Sequence, residues 1–201
     1  MKLSKRGEYA IRTLINLGLA TEVKRPLIQV SELADNEQLP VKFLEQIMQT
    51  LKEAGLVESQ RGKFGGYRLS KPTREITIGQ VVRLIDGPLA PIGCVSQTAY
   101  EKCTCPDENH CGLRMLMLDV RNAIANILDR YTLADVVEVT LRKLRRDSIP
   151  LPFSTEAEVT ATSAPRIPAR MARRLARRAT APRRLTEADG VLHQLLGDYT
   201  I

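Results

Sequence analysis

The stretch from Pro40 to Ser70 constrains the fold of this chain more than any other. Leu44, Ile47, Met48 and Leu51 recur at i, i+3, i+4 and i+7, the spacing of one face of an α-helix. Lys42, Glu45, Gln46 and Gln49 recur with the same spacing on another face, and all four are polar. Pro40 suits a helix start, where a missing N–H costs nothing, and Gly55 suits the position that ends it. The helix therefore runs to about Ala54. Leu56 to Ser59 and Tyr67 to Leu69 then read as two short strands. Between them stand Arg61, Gly62, Lys63, Phe64, Gly65 and Gly66. The glycines let the backbone take positive φ in a hairpin turn. The two cations at the tip suit a phosphate or a minor groove.

The flanking sequence extends this unit. Residues 4–20 read as a helix with Ile11, Leu14, Ile15 and Gly18 on one small or apolar face. TEVKRP reads as a turn. Ser31 is a good N-cap for a short helix to Asp35 or a little beyond, with Leu33 and Ala34 turned inward. NEQLP breaks that helix. Two short helices joined by a tight turn, the second with a polar outer face and followed by a basic hairpin, make a winged helix-turn-helix. Ile78 to Ile85, introduced by Thr77, reads as a further short helix.

After the loop DGPLAPIG and the cysteine stretch, the apolar period returns at Leu113, Leu116, Met117, Val120, Ile124, Ile127, Leu128 and Tyr131. A long helix from Gly112 to Tyr131 has one stripe with polar flanks, and a two-fold partner is the simplest place to bury it. Packing on its own domain is the alternative. Thr132 caps a last helix, Leu133 to Arg146. The expected fold is mainly α with a small β wing. Residues 1–87 form the winged helix-turn-helix, 88–111 a cysteine loop, and 112–147 the dimerisation helix and C-terminal helix. Residues 148–201 form a basic, mostly disordered tail. Residues 166–184 hold eight arginines and no acid, so MARRLARRA could also lie as a basic helix on an anionic surface.

A formal net charge of +7 favours a polyanionic partner. Aromatic residues are only 4% of the chain, which argues against a base-stacking platform for single strands. On double-stranded DNA, Gln46 and Gln49 suit adenine, Lys42 suits guanine or phosphate, and Glu45 can accept from a cytosine amino group. Glu45 costs affinity unless it meets a donor, which makes it a selectivity element. A merely solvated helix face is the plain alternative for all four. No secretory signal and no run of about 18 apolar residues is visible, so no membrane span is expected and the cytoplasm is the default compartment. The sequence holds no G-x-S-x-G, P-loop or H-E-x-x-H and only two histidines, His110 and His193. An enzyme is not expected.

With these residues in view, LPVKFLEQIMQTLKEAGLVESQRGKFGGYRLS resembles the signature of the bacterial Rrf-two-type, IscR-like winged-helix transcriptional regulators, and MKLSKRGEYAIRTL resembles their N-terminal helix. The likeness runs from Met1 to about Arg146 and leaves out the tail. It implies a dimeric regulator that binds a palindromic operator through the recognition helix and wing. Lys42, Phe43, Glu45, Gln46 and Arg61 fall at the contacting positions, with Tyr67 structural within the wing.

All four cysteines, Cys94, Cys103, Cys105 and Cys111, lie within 18 residues as C-x8-C-x-C-x5-C. Clustered cytosolic thiols are metal ligands or redox groups more often than disulfides. The resemblance implies an iron–sulfur cluster, 2Fe–2S or 4Fe–4S, held by Cys94, Cys105 and Cys111, with Cys103 surplus or exchanging with Cys105. The histidine that serves IscR-type members as fourth ligand is replaced by Arg114. His110 is a substitute, and Glu8 matches a carboxylate that in other members ligates the partner's cluster. The plain role of Glu8 is an i, i+4 pair with Arg12. Four thiolates also suit zinc, and Cys103 with Cys105 could form a thiol–disulfide switch. A metal- or redox-dependent interaction protein, contacting its target through the basic tail without specific DNA binding, is the functional alternative.

Overall fold

The computed structural model describes residues 3–62 and 64–154. Lys63 and the tail beyond Ser154 lie outside the described residues, and with them the expectations for Lys63 at the wing tip and for the tail after Ser154. The expected tail begins too early at residue 148: Leu151 and Phe153 are half-buried against the core, and Arg25 donates to the Phe153 carbonyl at 3.1 Å. Six helices and one two-stranded sheet make up the described fold. Helix α1 spans Lys5–Glu22 and starts at Ser4, whose hydroxyl accepts the Gly7 N–H at 3.0 Å. It buries Ala10, Leu14 and Leu17, whereas Ile11 and Ile15 are only half-buried. Gly18 serves a close approach: a Cβ there would lie 2.6 Å from Val137 Cγ2.

Helix α2 spans Val30–Glu37, and its N-cap is Gln29 rather than Ser31. The cause is tertiary. Ile28 pairs with Tyr67, giving N–H to O distances of 3.0 and 2.8 Å, so the chain is extended up to residue 28 and turns helical just after it. The carboxylate of Glu32, the third helical residue, accepts the Gln29 N–H at 3.4 Å. Helix α3, Val41–Glu53, follows Pro40 and buries Leu44, Ile47, Met48 and Leu51 completely. Gly55, at φ 68°, reverses the chain after it.

Strand β1 (Val57–Gln60) pairs antiparallel with β2 (Gly66–Leu69), Val57 facing Leu69 and Gln60 facing Gly66. With Ile28 on the far edge of β2, the wing stands on three extended segments. Helix α4, Ile78–Asp86, is capped by Thr77 as the sequence predicts. Helix α6, Leu133–Arg146, is capped by a reciprocal Thr132–Asp135 pair. Leu133, Val137 and Leu141 of α6 join the core beneath α1, α2 and α3.

Helix α5, Gly112–Arg130, is the long helix the sequence predicts, but its stripe divides. Leu128 and Tyr131 pack on a small second cluster of Ile78, Val82 and Leu89. Arg83 and Asp129 fasten the same contact with two hydrogen bonds of 2.5 and 2.7 Å. Leu113, Leu116, Val120 and Ile127 remain exposed, as does Ala123. Those five positions step by 3, 4, 3 and 4, a heptad seam. Of the eight-residue stripe, Leu128 and Tyr131 thus serve α4, Leu113, Leu116, Val120 and Ile127 are presented outward, and Met117 and Ile124 are half-buried.

Candidate DNA-binding surface and thiol loop

The outer face of α3 carries Lys42, Glu45, Gln46 and Gln49, all exposed. The buried face fixes their orientation, because four side chains at 0% exposure leave the helix no rotational freedom. Gln49 donates from Nε2 to Glu53 at 2.7 Å. Phe43 has a different placement. It is half-buried and meets Tyr9 edge-to-face, with ring centroids 5.9 Å apart at 89°. That packing pins the start of α3 to α1. Arg6, which sequence reasoning did not single out, donates to Thr50 Oγ1 at 2.8 Å and so adds a cation beside the same face. Its only advance signal is the basic run MKLSKR.

Behind this surface a polar group ties α1 to the end of α2. Glu37, with a side chain only 6% exposed, pairs with Arg12 at 2.6 Å and accepts from Asn16 Nδ2 at 2.5 Å. In the wing, Lys52 donates to Ser59 Oγ at 2.8 Å, joining α3 to β1. Arg68 and Glu58 pair across the strands at 2.5 Å. Arg61 is exposed next to the turn.

The cysteines lie on the connection from α4 to α5. Cys94 is buried in a short 3-10 turn, Gly93–Val95. Cys103 and Cys111 are half-buried and Cys105 is exposed, and all four are free thiols. Cys111 is the N-cap residue of α5. The Cys105 thiol is pushed up to about 12, chiefly by its hydrogen bond with Cys103, then by loss of water and by its hydrogen bond with Cys111. Burial raises the Cys94 thiol, with the negative charge of Cys103 and Glu108 adding to it.

Glu108 organises this loop, although no motif marks it. Its carboxylate accepts from the Tyr100 hydroxyl at 2.8 Å, takes the Cys103 thiol at 3.9 Å and pairs with Arg114 at 3.1 Å. Arg114 is thus engaged with Glu108. His110 is bound to Asp107 at 2.5 Å, and its side chain is 85% exposed. Glu8 pairs with Lys5 at 2.7 Å and with Arg12 at 3.7 Å, and the Lys5 contact holds its carboxyl below the usual range.

The donor set of Cys94, Cys105 and Cys111 is chemically suited to iron, but its placement is not that of a finished site. Among the described residues, no three His, Cys, Asp or Glu side chains are arranged to hold a metal ion. The loop as folded does not bring its thiols into a metal-holding arrangement and does not fit a cluster as it stands. His110 is engaged by Asp107, and Glu8 by Lys5 and Arg12.

A buried-stripe recognition helix, a glycine-turned hairpin and a third extended segment define a winged-helix protein. Residues 3–139 match the family model Rrf2, iron-dependent transcriptional regulator. The chain belongs to the Rrf2 family, whose members are transcriptional regulators and not enzymes. An rrf2-like HTH-type transcriptional regulator of Rhodobacter capsulatus is 37% identical over 139 residues, covering 67% of this chain and 91% of that one. The solved structure of CymR, the global cysteine regulator of Bacillus subtilis, matches at TM-score 0.58 and 29% identity, covering 69% of this chain and 98% of that one. The IscR of T. potens matches at TM-score 0.53 and 25% identity, covering 70% and 88%. No described helix is long and apolar enough to cross a membrane.

Proposed function

We propose that this chain is a cytoplasmic homodimeric regulator that binds a palindromic operator and changes its affinity with the state of its thiol loop. The observation that carries the DNA contact is the outer face of α3, where Lys42, Glu45 and Gln46 are exposed above a fully buried face. Gln46 suits an adenine edge, Lys42 a guanine or phosphate, and Glu45 selects by rejecting bases that offer no donor. Arg61, with Lys63 beside it in sequence, supplies the wing's phosphate contacts. Phe43 positions α3 through Tyr9. Gln49 is shared with Glu53.

The dimer contact is the exposed heptad of α5. Cys111 stands at the N-cap position where that helix begins, so a rearrangement of the thiol loop would move the seam and re-space the two recognition helices. Two thiols one residue apart suit a redox input, with Cys103 as the attacking group, since the raised Cys105 thiol is a poor nucleophile. A two-electron oxidant such as a peroxide would convert Cys103 and Cys105 to a disulfide, releasing two protons with the electrons. A second reading, an iron–sulfur cluster on Cys94, Cys105 and Cys111, is favoured by the iron-dependent description of the family. It requires the loop to be rebuilt on loading. Anaerobic purification with absorption spectra, iron and sulfide analysis, and thiol mapping by mass spectrometry separates the two. A colourless, iron-free protein whose DNA affinity ignores peroxide would overturn both.

A further inference from the structure

Phe64 is 82% exposed, the most exposed large apolar side chain among the described residues. It stands in the turn between β1 and β2. Gly65 N–H donates to Gly62 O at 2.9 Å, closing the turn around it. Gly62 sits at φ 116°, where a side chain is strained. A Cβ on Gly65 would lie 2.3 Å from the Gln60 carbonyl, and one on Gly66 2.5 Å from the Ile28 carbonyl. Gly62, Gly65 and Gly66 thus shape the backbone of the turn that carries Phe64. Arg61 stands on the same turn.

An exposed aromatic ring on a turn that also carries Arg61 fits one nucleic-acid surface in particular. The minor groove draws cations into its negative potential, most strongly where it is narrow over A·T pairs. Its floor offers only acceptors and carbon at A·T pairs, whereas G·C pairs add the guanine N2 amino group. A phenyl ring cannot pair with that amino group and would strip its water. Side chains of this type are used as apolar contacts in minor grooves.

We propose that Phe64 is a specificity-determining contact, packing on the minor-groove floor at A·T pairs and disfavouring G·C pairs there. The inference rests on the reading that the wing meets DNA. The test starts from a random-sequence duplex library enriched on the wild-type protein, on Phe64→Ala, on Phe64→Leu and on Arg61→Ala. The wild type should enrich A·T pairs at the wing positions, Phe64→Leu should retain part of that bias, and Phe64→Ala should lose it while keeping the major-groove consensus. In anisotropy titrations, exchanging those A·T pairs for G·C should weaken the wild type about tenfold and Phe64→Ala less than about twofold. Unchanged A·T enrichment by Phe64→Ala, with Arg61→Ala weakening all duplexes, would overturn the role of Phe64 alone. If neither substitution alters binding, the wing contact itself fails. Melting temperatures matching the wild type confirm that the exposed substitutions leave the fold intact.

Discussion

Truncating Leu116 to alanine tests the seam through a quantity that the fold supplies. Leu116 is 56% exposed on α5, so about half of its surface awaits a partner. Full burial of a leucine side chain is worth about 1.5–3 kcal/mol. Half of that, less the Cβ that alanine keeps, is about 1 kcal/mol per copy. A two-fold interface counts every substitution twice, which brings the loss to about 2 kcal/mol of dimer stability, or about 30-fold in dissociation constant. Sedimentation equilibrium at micromolar concentrations reads this directly. Asn122→Ala, exposed and off the stripe, is the control and should leave self-association unchanged. Leu116→Asp should go further and give monomers. A wild-type monomer, or a Leu116→Ala dimer indistinguishable from wild type, would refute the assignment of the outward face of α5 as the seam.

Arg61→Ala should weaken binding to operator and scrambled duplexes alike and reduce the salt slope by about one, read from titrations at several salt concentrations. Glu45→Ala should relax base preference in a selection from random duplexes, and unchanged selectivity would remove Glu45 from the readout. Asp129 has its carboxyl held below the usual range by Arg83. Its pair is therefore stabilising above the unfolded value of about 4 and is lost as pH falls through the lower folded value. With both side chains partly exposed the contribution is at most about 1 kcal/mol, so Asp129→Asn should lower the melting temperature at pH 7, and the difference should shrink as pH falls below the ordinary carboxylate range. Gly18→Ala places a Cβ 2.6 Å from Val137 and should cost about 1–3 kcal/mol in denaturant unfolding, with Val137→Ala relieving it.

What the sequence could disclose was local. The α3 stripe, the threonine caps at Thr77 and Thr132 and the reversal at Gly55 each depend on residues within a turn or two, and all appear where their spacing puts them. Ser31 looked like a cap because nothing nearby showed that Ile28 is held by Tyr67, some forty residues later. The α5 stripe looked continuous because a 3.6-residue period and a heptad overlap over a few turns. Only the presence of α4 divides them. The exposed face of α3 was legible for the same reason as its buried face. The inward use of Phe43 was not, since it follows from Tyr9 of α1 standing against the start of α3. In the thiol loop, spacing announced the cysteines but not their arrangement. Without periodicity, a loop's contacts come from side chains such as Glu108 that no motif marks.

The most direct test of the central claim is one titration set at fixed salt: the reduced and the peroxide-treated protein, each against the selected palindromic duplex and its scrambled counterpart. The reduced protein should prefer the palindrome by about a thousandfold or more. Oxidation should shift the palindrome affinity by about 5–150-fold, reversibly with thiol reductant, and Cys103→Ser should abolish the shift. Equal affinity for the two duplexes would contradict specific recognition through α3 and the wing. Specific binding that ignores the oxidation state in an iron-free protein would contradict the thiol loop as its input.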